Sequence, residues 1–296
     1  MKSYQFSTGV ELLALCEREK APISAVMQLR EESFGDFTRA QMRAEMAKNL
    51  AVMRASIQKG LEEEHESVSG LSGKDAQRLS AYSGDALMGK TMAEVCAASM
   101  AVVEVNASMG RIVAAPTAGA CGILPGALLT LAKLNRWKED ALIDALFTAA
   151  AIGSIIAANS TLAGAEGGCQ AETGSAAAMT AAALVELQGG KPAQVLDAAA
   201  IALKNILGLV CDPVAGLVEC PCIKRNAIGA ANAVLSADLA LAGVPSLIPF
   251  DETVSAMKNV GRAMSSDLRE TARGGLAATP TAVRIKNELG FQTISN

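Results

Sequence analysis

Three of the chain's seven cysteines stand where a protein could use them chemically. Cys169 lies in residues 164–177 (GAEGGCQAETGSAA), and Cys211 and Cys222 lie in residues 210–233 (VCDPVAGLVECPCIKRNAIGAANA). Each sits in a stretch rich in Gly, Pro and charged residues between apolar, alanine-rich segments, whereas Cys16 and Cys96 fall inside helical patterns and read as packing. Loop thiols held by a rigid helical frame are how a protein offers soft ligands to iron. The spacing is unlike that of a zinc ribbon or ferredoxin, which set cysteines two to four residues apart. Here 41 residues separate Cys169 from Cys211 and 10 separate Cys211 from Cys222. By spacing alone, small buried thiols in a closely packed helical protein account for them too, and that alternative stays open.

The elements that must position these loops are helices. Apolar residues make up 51% of the 296, much of it alanine, with 3% aromatic and few β-branched runs, a mixture that favours closely packed helices. Thr38 with Gln41 three residues on predicts a capping box, and Met42, Met46, Leu50, Met53 and Ile57 then recur at helical spacing as a core stripe. Further helices are expected from Gly89 to Met109, from Asp140 to about Ala158, from Ala176 to Leu187, from Pro192 to about Leu209, from about Ile228 to Leu241 and from near Asp251. No strand alternation of useful length occurs, so the fold class is all-α: a compact helical domain over 1–296 whose Gly/Pro-rich loops carry the ligands. Residues 61–85 form a possible loop insertion.

A net charge of −4 and no basic run exclude an electrostatic footprint for nucleic acid or an anionic membrane. The apolar runs are shorter than about 18 residues and rich in small side chains, which argues against a membrane span. The first twenty residues contain no apolar signal core, and the odd cysteine count argues against a disulfide framework; a reducing cytoplasm is the expected compartment.

Other chemistry is thinly supported. His65, the only histidine, stands beside four glutamates in a polar stretch that reads as a solvated charge run, so any Ser/His/Asp or Cys/His triad within the chain would hang on it. In residues 106–128, Gly119, Gly122 and Gly126 with Pro116 and Pro125 predict a tight loop opening a helix near Pro125, able to turn backbone N–H groups toward an anion or simply to turn. No Walker A or GxGxxG motif follows, and no pyridoxal lysine setting or phosphate cup is present.

PTAGACGILPG, AEGGCQAETGS, GLVCDPVAGLVECPCIKRNAIGA and ETARGGLAATPT together resemble the α chain of the bacterial iron–sulfur L-serine dehydratase, L-serine ammonia-lyase, from about residue 10 to 285. The resemblance implies an all-helical domain, a [4Fe–4S] cluster held by Cys169, Cys211 and Cys222, and packing or supporting roles for Cys121 and Cys220. It implies elimination of water from L-serine to give pyruvate and ammonia. It also implies the split type, in which a separate β chain brings a Ser-Ser-His-Thr-type loop that this sequence lacks. Some members cap the fourth iron with a C-terminal cysteine; residues 290–296 hold none, which implies an iron site open at rest. Around the substrate the expected residues are Thr117 as a loop donor, Lys224 and Asn226 beside the third ligand, and Arg273 as a bidentate clamp for the serine carboxylate. The base that takes the Cα proton is unassigned. A related lyase expelling sulfide from L-cysteine, and a non-enzymatic cluster-carrying subunit, are the alternatives.

Overall fold

Alanine decides how closely the helices meet. The computed structural model describes residues 3–290 and contains thirteen α-helices in that span: α1 (Gly9–Glu19), α2 (Ile23–Phe34), α3 (Arg39–Glu62), α4 (Asp75–Tyr82), α5 (Lys90–Ala107), α6 (Ile123–Asn135), α7 (Glu139–Asn159), α8 (Gly164–Gly167), α9 (Ser175–Leu187), α10 (Pro192–Lys204), α11 (Cys222–Leu241), α12 (Phe250–Ala263) and α13 (Pro280–Glu288). No strand forms among the described residues, only an isolated parallel bridge between Cys211 and Arg269. The tail residues on which the open iron site was expected, 291–296, lie outside the described ones.

Two helices are core on every side. Residues 175–185 of α9 are all buried, and α6, α7, α10 and α11 pack around them. Residues 95–105 of α5 are likewise buried, among α3, α4, α6 and α11. Small side chains permit this: a Cβ on Gly126 of α6 would lie 2.1 Å from Ser99 Oγ of α5, so only glycine allows the two axes to come so near. The expected stripe on α3 is found, with Leu50, Met53 and Ile57 buried, Met42 and Met46 partly so, and the Thr38–Gln41 capping box formed. Residues 118–135 and α7, the latter 21 residues long, are long and apolar enough to cross a membrane, contrary to the expected shorter runs. Both are mostly buried, so their apolar surface is consumed by the core.

Polar side chains then tie helix starts across the fold. Asp251, in the first turn of α12, accepts from Gly9 N at 2.7 Å and Val10 N at 3.2 Å, closing the N-terminus of α1. Glu186 of α9 accepts from Ser24 N at the start of α2, which has no side-chain cap of its own. Glu104 of α5 accepts from Asp75 N and Ala76 N at the start of α4, which falls inside the 61–85 stretch. Unsatisfied N–H groups at helix starts make such remote carboxylates stabilising.

Two boundaries differ from expectation, both beside the cysteines. α10 stops at Lys204, not near Leu209, because residues 205–209 turn to meet the Cys169 segment: Gln170 Oε1 accepts from Gly208 N at 2.9 Å and Leu209 O accepts from Gln170 N at 3.0 Å. α11 starts six residues before the expected Ile228, with Pro221 at its N-cap, so Cys222 is the first residue of a helix rather than part of a loop.

Candidate metal centre

The site forms where four segments converge. Cys169 directly precedes a π-helical turn, Gln170–Gly174, that leads into α9. Cys211 is extended, pinned by backbone bonds from its own N–H to Leu268 O at 2.8 Å and from Glu270 N to its carbonyl at 2.7 Å. Cys222 opens α11, and the 117–122 loop supplies the fourth side.

The donor atoms of Cys169, Glu172 and Cys211 all lie within 4.8 Å of one another. Glu172 stands three positions after Cys169, so one helical turn presents both on the same side. Its carboxylate accepts from Thr117 Oγ1 at 2.7 Å and faces Cys211 Sγ at 3.9 Å. A Cβ on Gly164 would lie 2.7 Å from Glu172 Oε2 and 3.0 Å from Cys211 Sγ, so glycine there keeps the space around the thiol and carboxylate clear. Cys222 is buried and close enough to raise the electrostatic cost of its own thiolate beside Cys169, but it lies outside the tight group.

Charge within the centre is uneven. A hydrogen bond from Cys211, then the Arg225 guanidinium, draw the Cys169 thiol below its ordinary value against the cost of burial. The bond to Cys169 and burial push Cys211 up, and burial pushes Cys222 up, so of the three thiols Cys169 is the easiest to ionise. Burial raises Glu172 as well, opposed by its bond from Thr117. Arg225, with 11% of its side chain exposed, donates to Cys169 Sγ at 3.5 Å, Val210 O at 2.8 Å and Asp212 Oδ1 at 2.7 Å. Burial opposes its charge, but the Cys169 thiolate and Asp212 outweigh that and hold it protonated. Asp212 in turn accepts from Leu276 N at 2.7 Å, which anchors the segment that follows Arg273.

The expected substrate residues separate into two groups. Thr117 reaches the centre through Glu172. Asn226 is fully buried and works as a clamp: its Oδ1 accepts from Gly122 N at 3.0 Å, and its Nδ2 donates to Gly119 O and Cys222 O at 2.7 and 2.9 Å. Lys224 instead points away, 59% exposed, and pairs with Asp75 at the start of α4. Arg273 is exposed and makes no hydrogen bond or ion pair among the described residues. Cys121 is buried as expected, but Cys220 is exposed and not packed. His65 also departs from its reading: only 7% of its side chain is exposed, and Nε2 lies 3.9 Å from the buried Glu104. Glu172, Arg225 and Asp212 were not singled out from the sequence. The signals for the first two were the Cys-x-x-Glu and Cys-x-x-Arg spacings, one helical turn each.

A cluster of soft thiols with one carboxylate, shielded from water and bordered by a cation, fits a thiolate-held metal group better than a hard, oxygen-liganded ion. Comparison with known proteins points the same way. A family profile described as serine dehydratase alpha chain matches residues 17–277. A Bacillus subtilis protein described as a probable L-serine dehydratase, alpha chain, is 49% identical over 287 residues, covering 96% of this chain and 95% of that one. The L-serine dehydratase alpha chain of Peptoniphilus asaccharolyticus is 44% identical over 288 residues, 95% and 97% of the two chains. The longer L-serine dehydratase TdcG of Escherichia coli is 40% identical over 282 residues, which span 93% of this chain and 62% of that protein.

Proposed function

The chain belongs to the serine dehydratase alpha chain family, and from that premise we propose that it is the cluster-bearing subunit of an L-serine ammonia-lyase, working in the cytoplasm with a separate β chain. The observation that carries the cofactor is the meeting of Cys169 and Cys211 with Glu172 around space that Gly164 keeps clear. Cys169, Cys211 and Cys222 would hold a [4Fe–4S] cluster. When bound by three thiolates, such a cluster supplies a Lewis-acidic iron that eases departure of the serine hydroxyl.

The chain's own residues prepare that chemistry. Arg225 keeps the charge of Cys169 compensated in a site with little water, and Asp212 keeps Arg225 in place. Asn226 locks the 119–122 backbone to the first turn of α11, which fixes Thr117 near the centre. Thr117 holds the Glu172 carboxylate beside Cys211, and burial lets that carboxyl keep a proton above its ordinary range, so it can donate to a departing oxygen. Loss of water from serine leaves aminoacrylate, which tautomerises and hydrolyses to pyruvate and ammonia. The Cα proton goes to a base that the β chain contributes in this reading. Lys224 has no part in this reading, because it pairs with Asp75 at the start of α4, while Arg273, exposed and without an ion pair among the described residues, stays the candidate clamp for the serine carboxylate.

The test is anaerobic purification of the chain, alone and with its β partner, measuring iron, sulfide, the broad absorbance at roughly 400 nm expected of such clusters, and pyruvate from L-serine beside L-cysteine. Bound iron, with serine turnover that needs the partner and fades in air, is the expected result. Colourless protein after reconstitution would sink the cofactor. Faster turnover of cysteine would reassign the substrate, and bound iron with no turnover of either would leave a cluster carrier.

A further inference from the structure

A cavity of about 410 Å³, apart from the metal centre, opens between α12 and the segment leading from α7 to the Cys169 turn. None of the cysteines lines it. Its polar walls are Ser160, Thr161, Glu166, Lys258, Arg262 and Arg269. Lys258 and Arg262 are four residues apart on one face of α12, and that helix is held close to the segment because Gly261 has no side chain: a Cβ there would lie 3.0 Å from Gly167 Cα.

Three cations thus face one space in a chain whose net charge is −4. Among the described residues none of the three forms an ion pair, and neither does Glu166, the one acidic residue in the lining, which is exposed. Arg269 donates from Nη1 only to the Glu166 carbonyl at 3.3 Å, while its Nε is buried with no partner. Ser160 Oγ is also buried without a partner. Buried donors left unmatched are costly and converging like charges repel, so an anion that accepted from both donors would stabilise this arrangement. Forked guanidinium donors match planar carboxylates. Met257 and Ala171 complete the wall with apolar surface suited to a short hydrocarbon.

We propose that this cavity is a binding site for a small dicarboxylate, separate from the metal centre. Its occupancy reaches that centre through backbone: Arg269 is bridged to Cys211, and Gly167 and Ala171 flank Cys169.

Calorimetric titration of the full chain at constant ionic strength tests it, with succinate, its uncharged analogue succinamide and inorganic phosphate as probes. Succinate should bind one per chain, at least tenfold more tightly than succinamide or phosphate. The Lys258→Gln/Arg262→Gln double variant, whose side chains are not core, should bind it at least tenfold more weakly, and Lys258→Arg should retain binding. Amide exchange should slow in residues 160–171 and 258–269 when succinate is added. No heat at roughly 10 mM succinate, a millimolar dissociation constant being the weakest useful affinity, would overturn the site. Unchanged binding in the double variant, or protection elsewhere, would do the same, and tighter binding of phosphate would overturn the ligand class. None of these readouts depends on iron or on serine turnover.

Discussion

Arg225 favours negative charge on Cys169 over its neighbour Cys211, because its guanidinium donates to Cys169 and not to Cys211. Replacing it with Gln should lower metal affinity about 10- to 100-fold, as loss of a supporting residue around metal ligands does, with Lys intermediate because it keeps charge but not three directed bonds. Iron per chain after reconstitution at limiting iron measures this. Cys169→Ser, Cys211→Ser and Cys222→Ser should each lose iron, whereas Cys220→Ser should keep it, since that thiol faces solvent; equal loss at Cys220 would show that the wrong neighbour of Pro221 was chosen. The sequence made the cysteines visible through their loops, but it misled about what surrounds them. Lys224 follows Cys222 by two positions, about 200° around a helix, and so turns away. Arg225 and Asn226, three and four positions on, return to the side of Cys222. That inference required knowing that α11 begins at Cys222, which a Gly/Pro-rich reading of residues 211–227 obscured.

At the scale of elements, helix content was legible because alanine and the scarcity of aromatic and β-branched residues leave few other ways to pack. Helix ends were less so, because distant side chains set them. Glu186 is one such side chain, partly buried and raised above its ordinary value of 4.5, with burial the main cause and the bond from Ser24 opposing it. Its neutral form is the one the fold favours, so its contribution to stability is full below pH 4.5 and is lost as pH rises through its folded value. Glu186→Gln cannot titrate. The stability difference, wild type minus variant, should therefore fall between pH 4.5 and the folded value and then stay level, as thermal unfolding at several pH values would report; a difference independent of pH would show that the carboxyl is not buried in solution. The π-turn at Gln170–Gly174 is another local feature set by tertiary bonds, since Gln170 donates to Gly167 O and Met257 O while accepting from Gly208 N. Deleting Ala171 would let that stretch relax to an ordinary helix and swing Cys169 by roughly 100° about the axis of α9. The deletion should leave helical circular dichroism nearly unchanged and abolish iron binding.

For the whole molecule, the centre joins parts of the chain that are far apart in sequence: the 117–122 loop, the Cys169 turn, the Cys211 bridge and the start of α11. A group bound only by the folded state at a thousandfold excess over its dissociation constant adds about 4 kcal/mol, which for a chain of this size is a shift on the order of 10 °C. Iron-loaded chain should accordingly melt higher than chelator-treated chain, and limited proteolysis of the latter should open residues 205–222 first; equal melting temperatures would mean that the thiols do not share one ion or cluster. The pairing of Cys211 with Leu268 and Glu270 also bears on how the protein is made. Synthesis runs from the N-terminus and early segments fold first. The strut behind the second thiol comes from about the last tenth of a 296-residue chain, after every core helix through α12 has been synthesised. That strut is therefore made after the helices that frame the centre, so a metal bound there would enter a scaffold already built rather than nucleate one.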